Sequence, residues 1–135
     1  MRTPAQILAE SHTIAVVGAS RYPGKAAYSV PLQLLSHGWH VIPVNPYASE
    51  IWHQVCYPTL ADIPEPVDLV NVFRPAPDTP EVARQAVAIG AKALWLQQDI
   101  VSAEARAIAE AAGLDYVEDH CTAVERAIEA LSHTP

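Results

Sequence analysis

His12-Thr-Ile-Ala-Val-Val-Gly18, followed at once by Ala19-Ser-Arg-Tyr-Pro-Gly-Lys25, is the stretch whose reading decides the fold. Its first seven residues form a short, nearly continuous apolar run closed by glycine, the pattern of a strand buried on both faces. Pro23-Gly24 breaks the chain, and Tyr28, Pro31, Leu32, Leu34 and Leu35 then lead to Gly38, a residue suited to end a helix. Pro31 falls within that helix, which predicts a late start or a kink there. Trp39-His-Val-Ile-Pro-Val44 reads as a second strand, stopped by Asn45-Pro46.

Outward from this unit the alternation continues. Val67-Asp-Leu-Val-Asn-Val-Phe73 and Ala93-Leu-Trp-Leu96 read as strands, and Asp78 is placed to cap a helix from Pro80 to Ala88. Ser102 opens an alanine-rich helix ending near Gly113, Tyr116-Val117 is a strand, and Thr122 is placed to cap a last helix reaching Leu131. Residues 47–66 hold little periodicity, with room for a short strand at Val55-Cys-Tyr57 and a helical turn at Leu60-Ala-Asp-Ile63; Trp52 reads as exposed. Strands alternating with helices of this length imply right-handed crossovers. The expectation is an α/β fold: one doubly wound, mainly parallel Rossmann-like sheet of about five strands, helices on both faces, one domain over 1–135.

Composition narrows the function classes. The chain has 135 residues, 15 Asp and Glu against 8 Lys and Arg, and a formal charge of −7. The acids crowd the end: residues 99–135 hold 8 acids and 2 bases, whereas residues 1–98 hold 7 and 6. This balance argues against broad nucleic-acid binding and turns attention to the first 98 residues. No apolar run approaches the ~18–20 residues that span a bilayer, and the start lacks a signal-type apolar stretch. Cys56 and Cys121 fit no paired zinc spacing and read as reduced thiols. The expectation is a cytoplasmic protein with no membrane, nucleic-acid or metal partner.

In a sheet of this kind ligands sit beyond the carboxyl ends of the strands. The turn after the first strand is the most informative candidate, because Gly18 permits a close backbone turn, the following amides can donate to phosphate oxygens, Ser20 adds a hydroxyl, and Arg21 and Lys25 add positive charge. Two common phosphate ligands are disfavoured. A dinucleotide fingerprint needs Gly at spacings 0, 2 and 5 with an acid after the second strand, but Ser20, Pro23 and Asn45 stand there. A P-loop needs Gly-Lys-Ser/Thr, and Gly24-Lys25 is followed by Ala26.

Gly18-Ala-Ser20 with Lys25, Val41-Ile-Pro-Val-Asn-Pro46, Val67-Asp-Leu-Val70 running into Phe73-Arg74, Gly90-Ala-Lys-Ala-Leu-Trp-Leu-Gln97 and Asp119-His-Cys121 resemble, in order and over nearly the whole chain, the small stand-alone CoA-binding domain proteins. These are relatives of the CoA-binding domain of succinyl-CoA synthetase alpha subunits. The resemblance implies coenzyme A or acyl-CoA in the crevice, its phosphates on the first loop and its adenosine part against the loops after the second and fourth strands. Carried over by position, Gly18, Ala19, Ser20, Arg21, Tyr22 and Pro23 would form the phosphate loop with Lys25 nearby. Asn45 and Pro46 would line the adenosine side, with Phe73, Arg74 and Pro75 at its edge. Arg21, Lys25 and Arg74 would suit the pyrophosphate and 3′-phosphate, and Arg74 offers the bidentate fork that lysine lacks. Trp95 reads as core. Two positions depart from the family pattern: Asp99 and His53 stand where relatives usually carry Gly.

The alpha-subunit relatives carry their phosphorylated His in a second domain, so the shared part implies no ligase chemistry. The leading expectation is a non-catalytic CoA or acyl-CoA binding protein with no catalytic residue of its own. One alternative is a thiol-dependent CoA-disulfide or acyl-transfer enzyme using Cys121. Another is an interaction or regulatory subunit of an acyl-CoA ligase. A homodimer or such a ligase are the candidate protein partners.

Overall fold

The chain is described here over residues 1–133 from a computed structural model. In order along it come α1 (Pro4–Glu10), β1 (Thr13–Val17), α2 (Ala26–Ser36), β2 (His40–Val44), β3 (Glu50–Ile51), β4 (Gln54–Val55), β5 (Leu69–Val72), α3 (Thr79–Ala88), β6 (Ala93–Leu96), α4 (Ala103–Ala111), β7 (Asp115–Val117) and α5 (Thr122–Ile128). Single 3₁₀ turns lie at Leu60–Asp62 and Ala76–Asp78. Five strands form one parallel sheet in the order β2-β1-β5-β6-β7, and β3 pairs with β4 as a separate antiparallel hairpin.

Alternate residues of each strand feed opposite faces, because strand side chains have a period of two. Ala15, Val70, Val72, Leu94 and Leu96 pack with α3 and α4 on one face. Ile14, Val16, Leu69, Trp95 and Val117 pack on the other with Ile7 and Leu8 of α1 and Leu34 of α2. Trp95 is fully buried and its Nε1 donates to the carbonyl of His120 at 2.9 Å, the satisfaction a buried indole needs. The fold is thus the doubly wound Rossmann-like α/β sheet that the alternation predicts.

From β1 the chain moves outward through α2 to β2, then returns past β1 to β5. That reversal opens a crevice between the carboxyl ends of β1 and β5. Residues 45–68 make the return without an α-helix, and Tyr57 closes onto the end of β2 through reciprocal bonds with Pro43 and Asn45.

Several local expectations are corrected. Helix α2 does not start late: it begins at Ala26 and runs on through Pro31 to Ser36. Asp78 does occupy the N-cap position of α3, but its side chain makes no capping bond, because its carboxylate accepts from Arg74 Nη2 at 2.8 Å. Cys121, not Thr122, occupies the cap position of α5, and the Thr122 hydroxyl turns inward to Asn71 Oδ1 at 3.3 Å. Trp52 is buried: its Nε1 donates to the carbonyl of Tyr28 at 3.0 Å, which folds the β3–β4 hairpin against α2. Helix α1 is an addition to the expected set, and its signal was present as Thr3-Pro4 with Gln6, a capping box with proline in the first turn.

Candidate nucleotide-binding crevice

At the end of β1 the backbone of Gly18 has φ +85, and a Cβ there would lie 3.0 Å from both Arg74 Cδ and the Phe73 carbonyl oxygen. The two strand ends that flank the crevice therefore approach so closely that only glycine fits without displacement. Beyond Gly18 the amides of Ala19, Arg21 and Gly24 have no hydrogen-bond partner among the described residues. Ser20 differs, since its amide donates to the Ala27 carbonyl at 3.1 Å and its hydroxyl accepts from the Tyr22 amide at 3.0 Å. Unpaired amides in one turn at the start of an 11-residue helix make a donor set suited to an anion.

Two adjoining clefts surround this turn. The smaller, about 350 Å³, is lined by Gly18, Ala19, Ser20, Arg21 and Tyr22 together with Asn45, Tyr47 and Ala48. The Arg21 guanidinium lies 5.3 Å from the centre of the Tyr22 ring and donates to Tyr22 Oη at 3.1 Å, so its charge is held at the rim. The larger cleft, about 490 Å³, shares Gly18, Asn45 and Tyr47 and adds Pro46, Pro58, Thr59, Arg74, Pro77 and the first turns of α3. Its charged lining is mixed. Arg74 is paired with Asp78 at 2.8 Å, and Glu81 is held below the ordinary carboxylate range by Arg84, whose Nε donates to it at 2.9 Å.

Asn45 joins the two clefts. Its Nδ2 donates to the Ala19 carbonyl at 2.8 Å, its Oδ1 accepts from the Tyr47 amide at 2.7 Å, and its backbone amide donates to the Tyr57 carbonyl at 3.0 Å. The Cys56 thiol donates to the Asn45 carbonyl at 3.5 Å, and burial pushes that thiol above its usual range. Such a thiol is a packing group rather than a nucleophile.

Of the residues singled out from sequence, Gly18, Ala19, Ser20, Arg21, Tyr22, Asn45, Pro46 and Arg74 line one or both clefts. Pro23, Lys25, Phe73 and Pro75 line neither; Phe73 is half-buried against the core, and Lys25 is exposed ahead of α2. Arg21 and Arg74 thus line different, adjoining clefts, and Lys25 lines neither. Asp99, His53 and the half-buried Cys121 also lie outside both linings. Tyr47, Thr59 and Gln85 were missed because each sits in a loop or helix whose approach to the crevice is set by tertiary packing. Tyr47 carried the one readable signal, an asparagine two residues before it that makes an Asx turn.

Residues 12–127 match a family model described as a CoA binding domain. An uncharacterised protein of Bacillus subtilis, YneT, is 34% identical over 123 residues, 91% of each chain. A hypothetical protein from Pyrococcus horikoshii superposes with a TM-score of 0.90 at 37% identity, covering 94% of this chain and 92% of that one. An ADP-forming acetate–CoA ligase of Archaeoglobus fulgidus is 38% identical over 82 residues, 59% of this chain but 12% of the ligase. The chain therefore spans a small fraction of the ligases it matches.

Proposed function

Because the chain belongs to the CoA binding domain family, we propose that it binds coenzyme A or an acyl-CoA in the cytoplasm as a single non-catalytic domain, with the diphosphate on the loop after β1. The observation that carries this reading is the set of unpaired amides at Ala19, Arg21 and Gly24, beside the Arg21 guanidinium at the mouth of the crevice. A diphosphate needs several donors in a small volume, and backbone amides supply them without the cost of ordering long side chains.

Electrostatics divides the ligand between the clefts. The larger carries Asp78 and Glu81 against Arg74, so it favours an uncharged portion of the ligand, the adenosine against Asn45 and Pro46. Arg74, with Phe73 and Pro75 behind it, stands at that edge and reaches a phosphate when it leaves Asp78. Lys25, just outside, adds long-range attraction. The test is calorimetry with CoA and short acyl-CoAs. Arg21→Ala and Arg74→Ala each weaken binding by roughly five- to tenfold, the worth of about 1–1.4 kcal/mol. No heat with the unaltered chain and any of these ligands would sink the reading.

The ligase match favours a second reading, in which this chain serves an ADP-forming acyl-CoA ligase as a separate CoA-holding or regulatory subunit. Native mass spectrometry of freshly purified protein distinguishes a CoA-bearing monomer or homodimer from a chain that leaves the cell attached to a ligase.

A further inference from the structure

Pro31 is buried inside α2 and has no amide hydrogen. In an unbroken helix residue 31 would donate to the Ala27 carbonyl four residues earlier, and the proline ring also presses that carbonyl outward. The Ala27 carbonyl is instead taken from outside the helix, by the Ser20 amide at 3.1 Å. Ser20 then holds the Tyr22 amide through its hydroxyl at 3.0 Å.

We infer that Pro31 is a positioning residue for the crevice: by leaving the Ala27 carbonyl free it ties Ser20 to α2, and so turns the amides of Ala19, Arg21 and Gly24 toward an anionic phosphate ligand. The inference rests on the ligand reading proposed above. It assigns the loop's donors. Ser20 offers a phosphate only its hydroxyl hydrogen, because its amide is committed to Ala27 and its hydroxyl oxygen to Tyr22. With any other residue at 31 the helix would supply its own donor to Ala27, and Ser20 would compete with a neighbour already in place.

The test compares the unaltered chain with Pro31→Ala, using calorimetry with CoA, amide hydrogen exchange and thermal melting. Alanine is the best helix former, so the variant melts no lower than the parent by more than a few degrees. Its CoA dissociation constant rises about fivefold, as for one lost organising hydrogen bond, and its Ser20 amide exchanges faster. Equal affinity, or an equally protected Ser20 amide, overturns the inference. The unaltered chain gives an independent check should the variant fail to fold: without CoA the Ser20 amide, bonded to Ala27, is protected from exchange while those of Ala19, Arg21 and Gly24 are not, and adding CoA protects these three; a Ser20 amide that exchanges freely until CoA is added also overturns the inference. Absence of any CoA binding by the unaltered chain defeats the ligand reading itself, whereas equal binding by both chains defeats only the role of Pro31.

Discussion

The side-chain amide of Asn45 donates to the carbonyl of Ala19 at 2.8 Å, tying the end of β2 to the first residue beyond Gly18. The same side chain accepts from the Tyr47 amide, so both functions of the carboxamide are used. Asn45→Asp keeps the acceptor for Tyr47 but sets a carboxylate oxygen against the Ala19 carbonyl and places a negative charge in the crevice. The variant loses about 1–3 kcal/mol of stability, read from denaturant melts, and binds CoA more weakly. Unchanged melts would show that water replaces the bond without cost.

Gly18→Ala probes the closest approach in the crevice. The new methyl would meet Arg74 Cδ and the Phe73 carbonyl oxygen at 3.0 Å, and φ +85 is strained for any L side chain. The Arg74 stem can swing aside; the Phe73 backbone, bonded to Val17 at 2.9 Å, cannot do so easily. The expected loss is about 2 kcal/mol or more, with CoA binding abolished. Calorimetric melting at neutral pH, with and without CoA, checks both halves.

The sheet was legible because its strands are short apolar runs, with β1 ended by glycine and β2 by asparagine and proline, and that pattern survives without tertiary knowledge. Side chains with two possible partners were not legible. Asp78 is an ordinary cap candidate, yet Arg74 lies four residues away and takes its carboxylate. Thr122 is a capping residue by type, but the buried Asn71 on the central strand β5 needs a partner more. Trp52 reads as exposed in a proline-rich stretch, and only the fold of the hairpin onto Tyr28 buries it. In the crevice, the backbone groups around Gly18 could be read from one residue, whereas the α3 contribution depends on how that helix packs.

Asp99 and His53 hold left-handed backbone, with φ +70 and φ +58, at two positions where the resemblance leads one to expect glycine. His53 shares a two-residue hairpin turn with Trp52 at φ +53, a geometry that favours glycine. His53→Gly and Asp99→Gly each relieve strain, partly offset by the greater freedom of glycine in the unfolded chain, for a net gain of about 0.5–1 kcal/mol. Neither residue lines a cleft, so CoA affinity stays within about twofold, since a surface change distant from a ligand is worth little. A lower melting temperature for either variant would show that the native side chain makes a contact worth more than the strain.

Asp68 supplies the pH dependence, at the end of the sheet opposite the crevice. Burial pushes its carboxyl up, but the Thr13 and His12 amides donating to Oδ2 at 3.0 and 2.9 Å, with Lys92 at 3.6 Å, more than reverse this. The net result lies below the ordinary value of 3.8. A carboxyl that titrates lower when folded contributes stability that is complete above the unfolded value and is lost as pH falls through the folded one. Asp68→Ala is therefore less stable than the parent at pH 7, and the difference narrows as pH drops below about 4, where the parent's carboxyl gains its proton. Melts at a series of pH values check this. A gap that stays constant down to pH 2 would mean that the amides of His12 and Thr13 are held by the shape of the loop, and that the charge on Asp68 adds nothing.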